Sequence, residues 1–159
     1  PFLFRRTLRN VMLIAYDTAP TPILMTIPWL VSNKISVTLV LLGNARSYPK
    51  DRLPAEVEVI LGDDDDPLVW DSQVMTIGWA DQVFSVVAPG DEISYFHDLL
   101  ERMRELRAEI PKNYLFGVFQ STMPCGTGAC HACMIKTLDG TTLTCTDGPA
   151  YDLTRMVLR

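Results

Sequence analysis

The sequence has no cysteine outside one short stretch, no long uninterrupted apolar run and no excess of basic residues. All four cysteines of the 159 residues fall between Cys125 and Cys145. The longest apolar stretch, residues 23–31, contains a threonine and a proline and is too short to span a bilayer. A net charge of −5 argues against a nucleic-acid partner, which needs a basic face. We therefore expect no membrane and no nucleic-acid partner, and the cysteine distribution fits a reducing cytoplasm.

Short apolar runs that recur along the first three quarters of the chain predict buried strands. A hydrophobic fraction of 48% over 159 residues is enough for one ordinary domain with a packed core. Continuous or alternating apolar character predicts five strands, each bounded by turn-forming or polar residues. These strands cover residues 11–15, 35–42, 56–61, 82–87 and 114–119.

Helices are predicted between several of these strands. Residues 22–31 read as an apolar helix with a kink at Pro28, and residues 91–108 as an amphipathic helix. Alternating strands and helices predict an α/β fold with a doubly wound, mostly parallel five-stranded sheet. The last forty residues read as a small β-rich cap with a hairpin turn at Asp139-Gly140. We place the boundary near Gln120, between an α/β domain of residues 1–120 and a cap of residues 121–159.

The cysteines of the cap have a spacing that favours an iron–sulfur cluster. Cys125, Cys130, Cys133 and Cys145 form the pattern C-x4-C-x2-C-x11-C, whose first intervals are typical of plant-type 2Fe–2S proteins. The loop between them contains small residues, which let the backbone approach the inorganic sulfurs, and its glycines permit a positive φ. We predict the four cysteines as metal ligands. Backbone amides that would hydrogen-bond the sulfurs come from Gly126, Thr127, Gly128 and Ala129.

Three other sites remain open for the same cysteines. A structural zinc site usually has two separated Cys-x2-Cys or Cys/His pairs, whereas this chain has one. A disulfide pair would require an oxidising compartment. A Rieske-type centre needs two histidine ligands, and the motif contains only His131. No nucleophile, base and orienting group can be placed together from spacing, so we predict no catalytic residue.

Two stretches of the C-terminal region resemble a known family. The run from Met123 to Cys133 and the run from Leu143 to Leu153, with its Cys-Thr-Asp-Gly-Pro segment, closely resemble the iron–sulfur tail of the electron-transfer subunit of dihydroorotate dehydrogenase. The preceding part is similar in order and length to the nucleotide-binding domain of the ferredoxin–NADP reductase superfamily. The resemblance implies an FAD-binding barrel before this domain, of which residues 2–9 would be the trailing edge. It also implies a flavin-containing dehydrogenase subunit as partner and a role in pyrimidine biosynthesis.

The turn after the first strand departs from that family. Relatives have a glycine-rich turn in which backbone amides and a helix N-terminus bind a pyrophosphate. Here the turn runs from Ala15 to Pro20 without glycine, and Tyr16 and Asp17 place bulk and negative charge in it. The Cys-Gly-Pro turn after the fourth strand is replaced by Ala-Pro-Gly, ending at Gly90. We expect NAD(P) binding to be weak or absent.

Two functional hypotheses of different classes follow. The first is an electron-transfer module of a flavin-dependent oxidoreductase that relays electrons through a 2Fe–2S cluster to or from a partner subunit and is not catalytic alone. The second is a non-redox assembly subunit in which zinc or a disulfide holds a cap on a degenerate α/β scaffold. The sequence leaves a homodimer open in either case.

Overall fold

A six-stranded sheet organises the computed structural model, which describes all residues from Pro1 to Arg159. Its strands lie side by side in the order β3-β2-β1-β4-β5-β8, and the first five are parallel. A separate two-stranded antiparallel sheet consists of β6 and β7. The strands are β1 (Asn10–Tyr16), β2 (Ser36–Leu42), β3 (Val57–Leu61), β4 (Gln82–Val87), β5 (Leu115–Val118), β6 (Met134–Thr137), β7 (Gly140–Leu143) and β8 (Ala150–Asp152).

The central strands are buried on both faces, which explains their unbroken apolar sequences. All six residues of β4 are buried, as are the last six of β1 and of β2. Strands covered on both faces by helices have no solvent-facing side that would need polar residues. The strand order reverses between β1 and β4, and a crevice forms at such a switch point in open α/β sheets. The predicted doubly wound α/β class is confirmed.

Two helices that follow each other in the sequence cover each face of the sheet. The helices are α1 (Thr21–Leu24), α2 (Ile27–Ser32), α3 (Gln73–Trp79), α4 (Glu92–Leu106) and α5 (Thr144–Asp147). Residues of α1 and α2 pack into one apolar cluster with Leu13 and Phe84 of the sheet. Residues of α3 and α4 pack into the other cluster, with Met12 and Ile14. No helix of the structure is long and apolar enough to cross a membrane.

The predicted helix over residues 22–31 is interrupted earlier than its proline. The helix is divided by a turn at Met25 and Thr26, and the Thr26 hydroxyl donates to the Ile23 carbonyl at 2.6 Å. Pro28 then lies in the first turn of α2, where the missing N–H is not needed by the helix. We expected one helix with a kink at Pro28, whereas the structure has two helices separated by a turn before this proline.

The sheet has one more strand than the five predicted. β8 adds to β5 in antiparallel orientation, with Val118 opposite Ala150 and Phe116 opposite Asp152. The buried Asp152 carboxylate accepts a hydrogen bond of 2.8 Å from the Asn113 N–H, which fixes the chain before β5. The C-terminal region thus contributes a hairpin and an edge strand of the main sheet, while the domain boundary near Gln120 stays a prediction.

Candidate metal centre

The β6–β7 hairpin brings the third and fourth cysteines together. Cys133 comes directly before β6, and Cys145 lies in the short helix α5 that directly follows β7. Because Met134 pairs with Leu143 across the hairpin, the residues just outside this pair face each other. The Thr144 N–H and hydroxyl both donate to the Cys133 carbonyl, at 3.1 and 2.8 Å. Cys133 and Thr144, which are eleven positions apart in the sequence, are therefore direct neighbours in the fold.

The four thiols lie as two pairs. The Cys130 thiol contributes to the lowered pKa of Cys125, and the Cys145 thiol contributes to the lowered pKa of Cys133, so each pair of thiols lies close together. The charge of Cys125 is also a minor cause of the raised pKa of Cys145. No disulfide joins any of them, and no three Cys, His, Asp or Glu side chains come together as ligands of one metal ion.

The backbone of the loop lowers the pKa of Cys125. Hydrogen bonding from the backbone of Thr127 and Cys130, followed by that of the Cys130 thiol, lowers this pKa to about 6. Hydrogen bonds of this kind favour the thiolate, the form that ligates metals. Gly126, with φ of +65°, adopts a backbone conformation open to glycine and costly for other residues, and so permits this turn.

The second pair has a similar set of donors. The Cys145 N–H, followed by the Cys145 thiol, lowers the pKa of Cys133. The pKa of Cys145 is raised, first by its hydrogen bond with Cys133 and then by burial, while the Gly128 N–H acts in the opposite direction. Of the four predicted amide donors, Thr127 and Gly128 are the two whose backbone acts on the pKa of a cysteine. His131, between two cysteines, is exposed.

A carboxylate that the sequence did not single out organises the turn around Cys145. Asp147 Oδ2 accepts hydrogen bonds from the hydroxyls of Thr142 at 2.7 Å and Thr146 at 3.1 Å, and from the Leu143 N–H at 3.4 Å. The Thr142 hydroxyl is the main cause of the lowered pKa of Asp147. The Thr-Cys-Thr-Asp order is a local signal for such bonds, since Asp and Thr side chains readily bond neighbouring backbone.

The connection from β5 into the cysteine loop is fixed by a second carboxylate. Glu92, in the first turn of α4, accepts a hydrogen bond of 2.6 Å from the Gln120 N–H. The Gln120 side chain in turn donates to the Val87 carbonyl at 2.8 Å. Partial burial raises the pKa of Glu92 above its usual range, and the Gln120 N–H opposes this shift. No sequence pattern links these residues, which lie 28 positions apart.

The crevice at the switch point is occupied by groups of the protein itself. Asp17 Oδ1 accepts a hydrogen bond from the Asn44 N–H at 2.8 Å, and its Oδ2 accepts one from the Tyr95 hydroxyl at 3.1 Å. The Tyr16 ring packs edge-on against the Tyr95 ring, with centroids 4.8 Å apart. A Cβ at Gly43 would overlap Asp17 Oδ1. The bulk and charge expected from Tyr16 and Asp17 are thus held in place by specific contacts.

The C-terminal region is similar to a known family. Residues 120–157 match the family model of the iron–sulfur cluster binding domain of dihydroorotate dehydrogenase B. This match includes all four cysteines, both strands of the hairpin and β8. No curated protein sequence matches the chain.

The fold of the whole chain is similar to a solved structure of an NADH-dependent reduced ferredoxin-NADP oxidoreductase, described in connection with flavin-based electron bifurcation. The TM-score is 0.63 at 13% sequence identity, and the match covers 94% of this chain. The chain spans only 54% of that protein's length. Residues 120–157 are therefore similar to the iron–sulfur cluster binding domain of dihydroorotate dehydrogenase B, and the whole chain shares its fold with this ferredoxin-NADP oxidoreductase.

Proposed function

We propose that this chain is an electron-transfer module of a flavin-dependent oxidoreductase and that Cys125, Cys130, Cys133 and Cys145 hold a 2Fe–2S cluster. The observation that carries this proposal is the match of residues 120–157, which contain all four thiols, to an iron–sulfur cluster binding domain, and the neighbouring positions of the thiols in pairs support it. Such a cluster supplies one-electron transfer.

The donor set fits a binuclear cluster better than a single zinc ion. In a 2Fe–2S cluster each iron takes two cysteine ligands, so the protein must present two neighbouring pairs. A structural zinc site instead gathers four ligands around one ion. Cys125 with Cys130, and Cys133 with Cys145, provide the paired arrangement. Soft thiolates are the ligands that iron–sulfur clusters select, and hydrogen bonds to the sulfurs tune the reduction potential.

The position of the cysteine loop suits electron exchange with a partner. Cys130 is exposed, and two large apolar side chains beside the loop are also open to solvent, Met123 at 40% and Met134 at 52%. We infer that a flavin-containing dehydrogenase subunit docks near this surface, as in a dihydroorotate dehydrogenase-like complex of cytoplasmic pyrimidine biosynthesis. The FAD that exchanges electrons with the cluster would be bound by a barrel domain outside this chain.

We further infer that the α/β part acts as a scaffold with little or no affinity for NAD(P). A pyrophosphate at the switch point would have to displace the Asp17 carboxylate from the Asn44 N–H and the Tyr95 hydroxyl. Phosphate capture at such a turn needs free backbone N–H groups, and the negative charge of Asp17 opposes an anion at short range.

Electron transfer to a flavin tests the proposal. The loaded protein is reduced anaerobically with dithionite, freed of excess reductant and mixed with oxidised FAD. We expect the protein to pass one electron per chain, so that two chains together reduce about one FAD, which takes its two protons from the solvent. The Cys130→Ser protein, treated identically, is the control and should reduce no FAD. A loaded wild-type protein that takes up no electron from dithionite would contradict the proposal.

A further inference from the structure

The Asp147 carboxylate holds both ends of the segment that contains Cys145. Its Oδ2 atom receives the Thr142 hydroxyl from β7, the Leu143 N–H from the end of β7 and the Thr146 hydroxyl from α5. One oxygen therefore ties the last residues of the hairpin to the turn that follows them. Cys145 lies inside the loop that these bonds close.

The other side of the same segment is fixed independently. Thr144 is buried, and its N–H and hydroxyl both bond the Cys133 carbonyl. This contact sets the distance between the third and fourth cysteines, but it does not reach the residues after Cys145. Beyond Cys145 the chain is held by the contacts of Asp147, together with a bond from the Gly148 N–H to the Thr144 carbonyl at 3.2 Å and one from the Thr146 hydroxyl to the Leu143 carbonyl at 3.3 Å. Without Asp147, Thr142 and Thr146 lose the acceptor that joins them.

Asp147 also carries a negative charge and forms no ion pair. It is exposed, and it differs in this from Asp139 at the tip of the same hairpin, which pairs with Arg155. A fixed negative charge two residues from a metal ligand disfavours the addition of an electron at that site. The effect of an exposed charge weakens as salt is added.

We propose that Asp147 is a positioning residue for Cys145 and that its charge lowers the reduction potential of the metal centre. The inference rests on the proposed function, because it assigns a role to Asp147 at the same site. The hydrogen bonds act on retention of the metal, and the charge acts on the potential. These two effects can be separated by the choice of substitution.

Two substitutions at this position make the separation. Asp147→Asn keeps an acceptor oxygen of the same size and removes the charge, while Asp147→Ala removes both. Asp51→Asn is the matched control for charge, since Asp51 is exposed on the connection between β2 and β3, at the opposite edge of the sheet from β8. All proteins are loaded with iron and sulfide under identical anaerobic conditions.

Two measurements are made on each loaded protein: the midpoint potential by dye-equilibrated titration, at low and high salt, and the rate of iron loss to a chelator. We expect Asp147→Asn to have a more positive potential than wild type at low salt, with a smaller difference at high salt and nearly wild-type iron retention. Asp147→Ala should in addition lose iron about 10-fold faster, the lower end of the effect of removing partners that orient metal ligands. Asp51→Asn should match wild type in both measurements.

The outcomes distinguish this inference from the function on which it rests. A wild-type protein that holds the cluster, with potential and iron retention unchanged in both Asp147 variants, overturns the role of Asp147 and leaves the proposed function standing. A wild-type protein that holds no iron–sulfur cluster overturns the proposed function, and this inference with it. If Asp147→Ala does not fold, the potential of Asp147→Asn against that of Asp51→Asn decides the question of charge.

Discussion

Cys145 is the proposed ligand that lies farthest from the others in the sequence, and its place in the site depends on the hairpin. We expect Cys145→Ser to lose the cluster as fully as Cys130→Ser does, because a serine hydroxyl is a poor replacement for a soft thiolate. Iron content and the visible spectrum of the anaerobically prepared proteins measure the loss.

A neighbouring substitution controls for disturbance of the turn. Thr146→Ser keeps the hydroxyl that donates to Asp147 and should retain the cluster. Unchanged iron content in the Cys145→Ser protein would show that the fourth ligand lies elsewhere.

Glu92 makes stability depend on pH in a direction that the structure determines. Burial raises the pKa of Glu92 in the folded protein above its unfolded value, so its protonated form fits the fold better. The stability that this preference contributes is fully present below the unfolded pKa of about 4.3 and is lost as the pH rises through the folded pKa. At pH 7 the ionised Glu92 therefore costs stability, and Glu92→Gln should be at least as stable as wild type.

Urea unfolding at about pH 7 and pH 4 tests this prediction. The advantage of Glu92→Gln should shrink at the lower pH, where Glu92 binds its proton in the wild-type fold. Glu56→Gln, a change at an exposed position, should behave like wild type at both values. A Glu92→Gln protein that is clearly less stable at pH 7 would mean that the bond to the Gln120 N–H requires the carboxylate.

At the level of the elements, the edge strand β8 depends on Asp152. This buried carboxylate accepts hydrogen bonds from the Asn113 N–H at 2.8 Å and from the Thr154 N–H at 3.0 Å. Asp152→Ala leaves both donors without their partner, at a cost of about 1–3 kcal/mol in the free energy of unfolding. Urea unfolding should show this loss, whereas Asp71→Ala, at an exposed position, should change little. An unchanged midpoint for Asp152→Ala would mean that β8 is held by its strand pairing alone.

The strands and α4 could be predicted because their own sequences encode their burial. β4 begins and ends at the predicted residues, and the apolar stripe of α4 lies on its buried face. The helix α3 was missed because only two of its seven residues, Gln73 and Ile77, are buried, so it has no apolar period. β8 was missed because three residues show no periodicity, and its pairing with β5 exists only in the folded chain.

The candidate site also has features that the sequence could predict and features that it could not. The cysteine spacing identified the four candidate ligands, and the glycines between them predicted a loop with positive φ, which Gly126 and Gly128 have. The contacts of Asp147 lie within six residues and were within reach of sequence analysis. The bond between Glu92 and Gln120 was not, because it depends on how α4 and β5 lie on the sheet.

At the level of the whole molecule, we propose that a cluster-binding region is joined to an α/β scaffold with little or no affinity for NAD(P). We expect calorimetry with millimolar NADH or NADPH to show no saturable heat for the wild-type protein. The double change Tyr16→Gly with Asp17→Gly removes bulk and charge from the crevice and should restore some affinity, since it frees the Asn44 N–H and the Tyr95 hydroxyl.

Asp51→Gly is the control for the change in charge and should bind no better than wild type. If the wild-type protein binds NADH or NADPH in the micromolar range, the proposal that the crevice has lost its affinity is wrong, and a full reductase role is favoured. If the double variant does not recover affinity, the crevice is closed elsewhere, and the turn from Val86 to Gly90 would be the next segment to change.

The central claim is that the four cysteines hold a 2Fe–2S cluster, and the metal and sulfide content of the freshly prepared protein tests it most directly. Anaerobically purified or reconstituted protein should contain about two iron and two acid-labile sulfide atoms per chain and have a red-brown colour that bleaches on reduction. Stoichiometric zinc without labile sulfide, in a colourless protein, would contradict the account and favour an assembly subunit with a structural zinc cap.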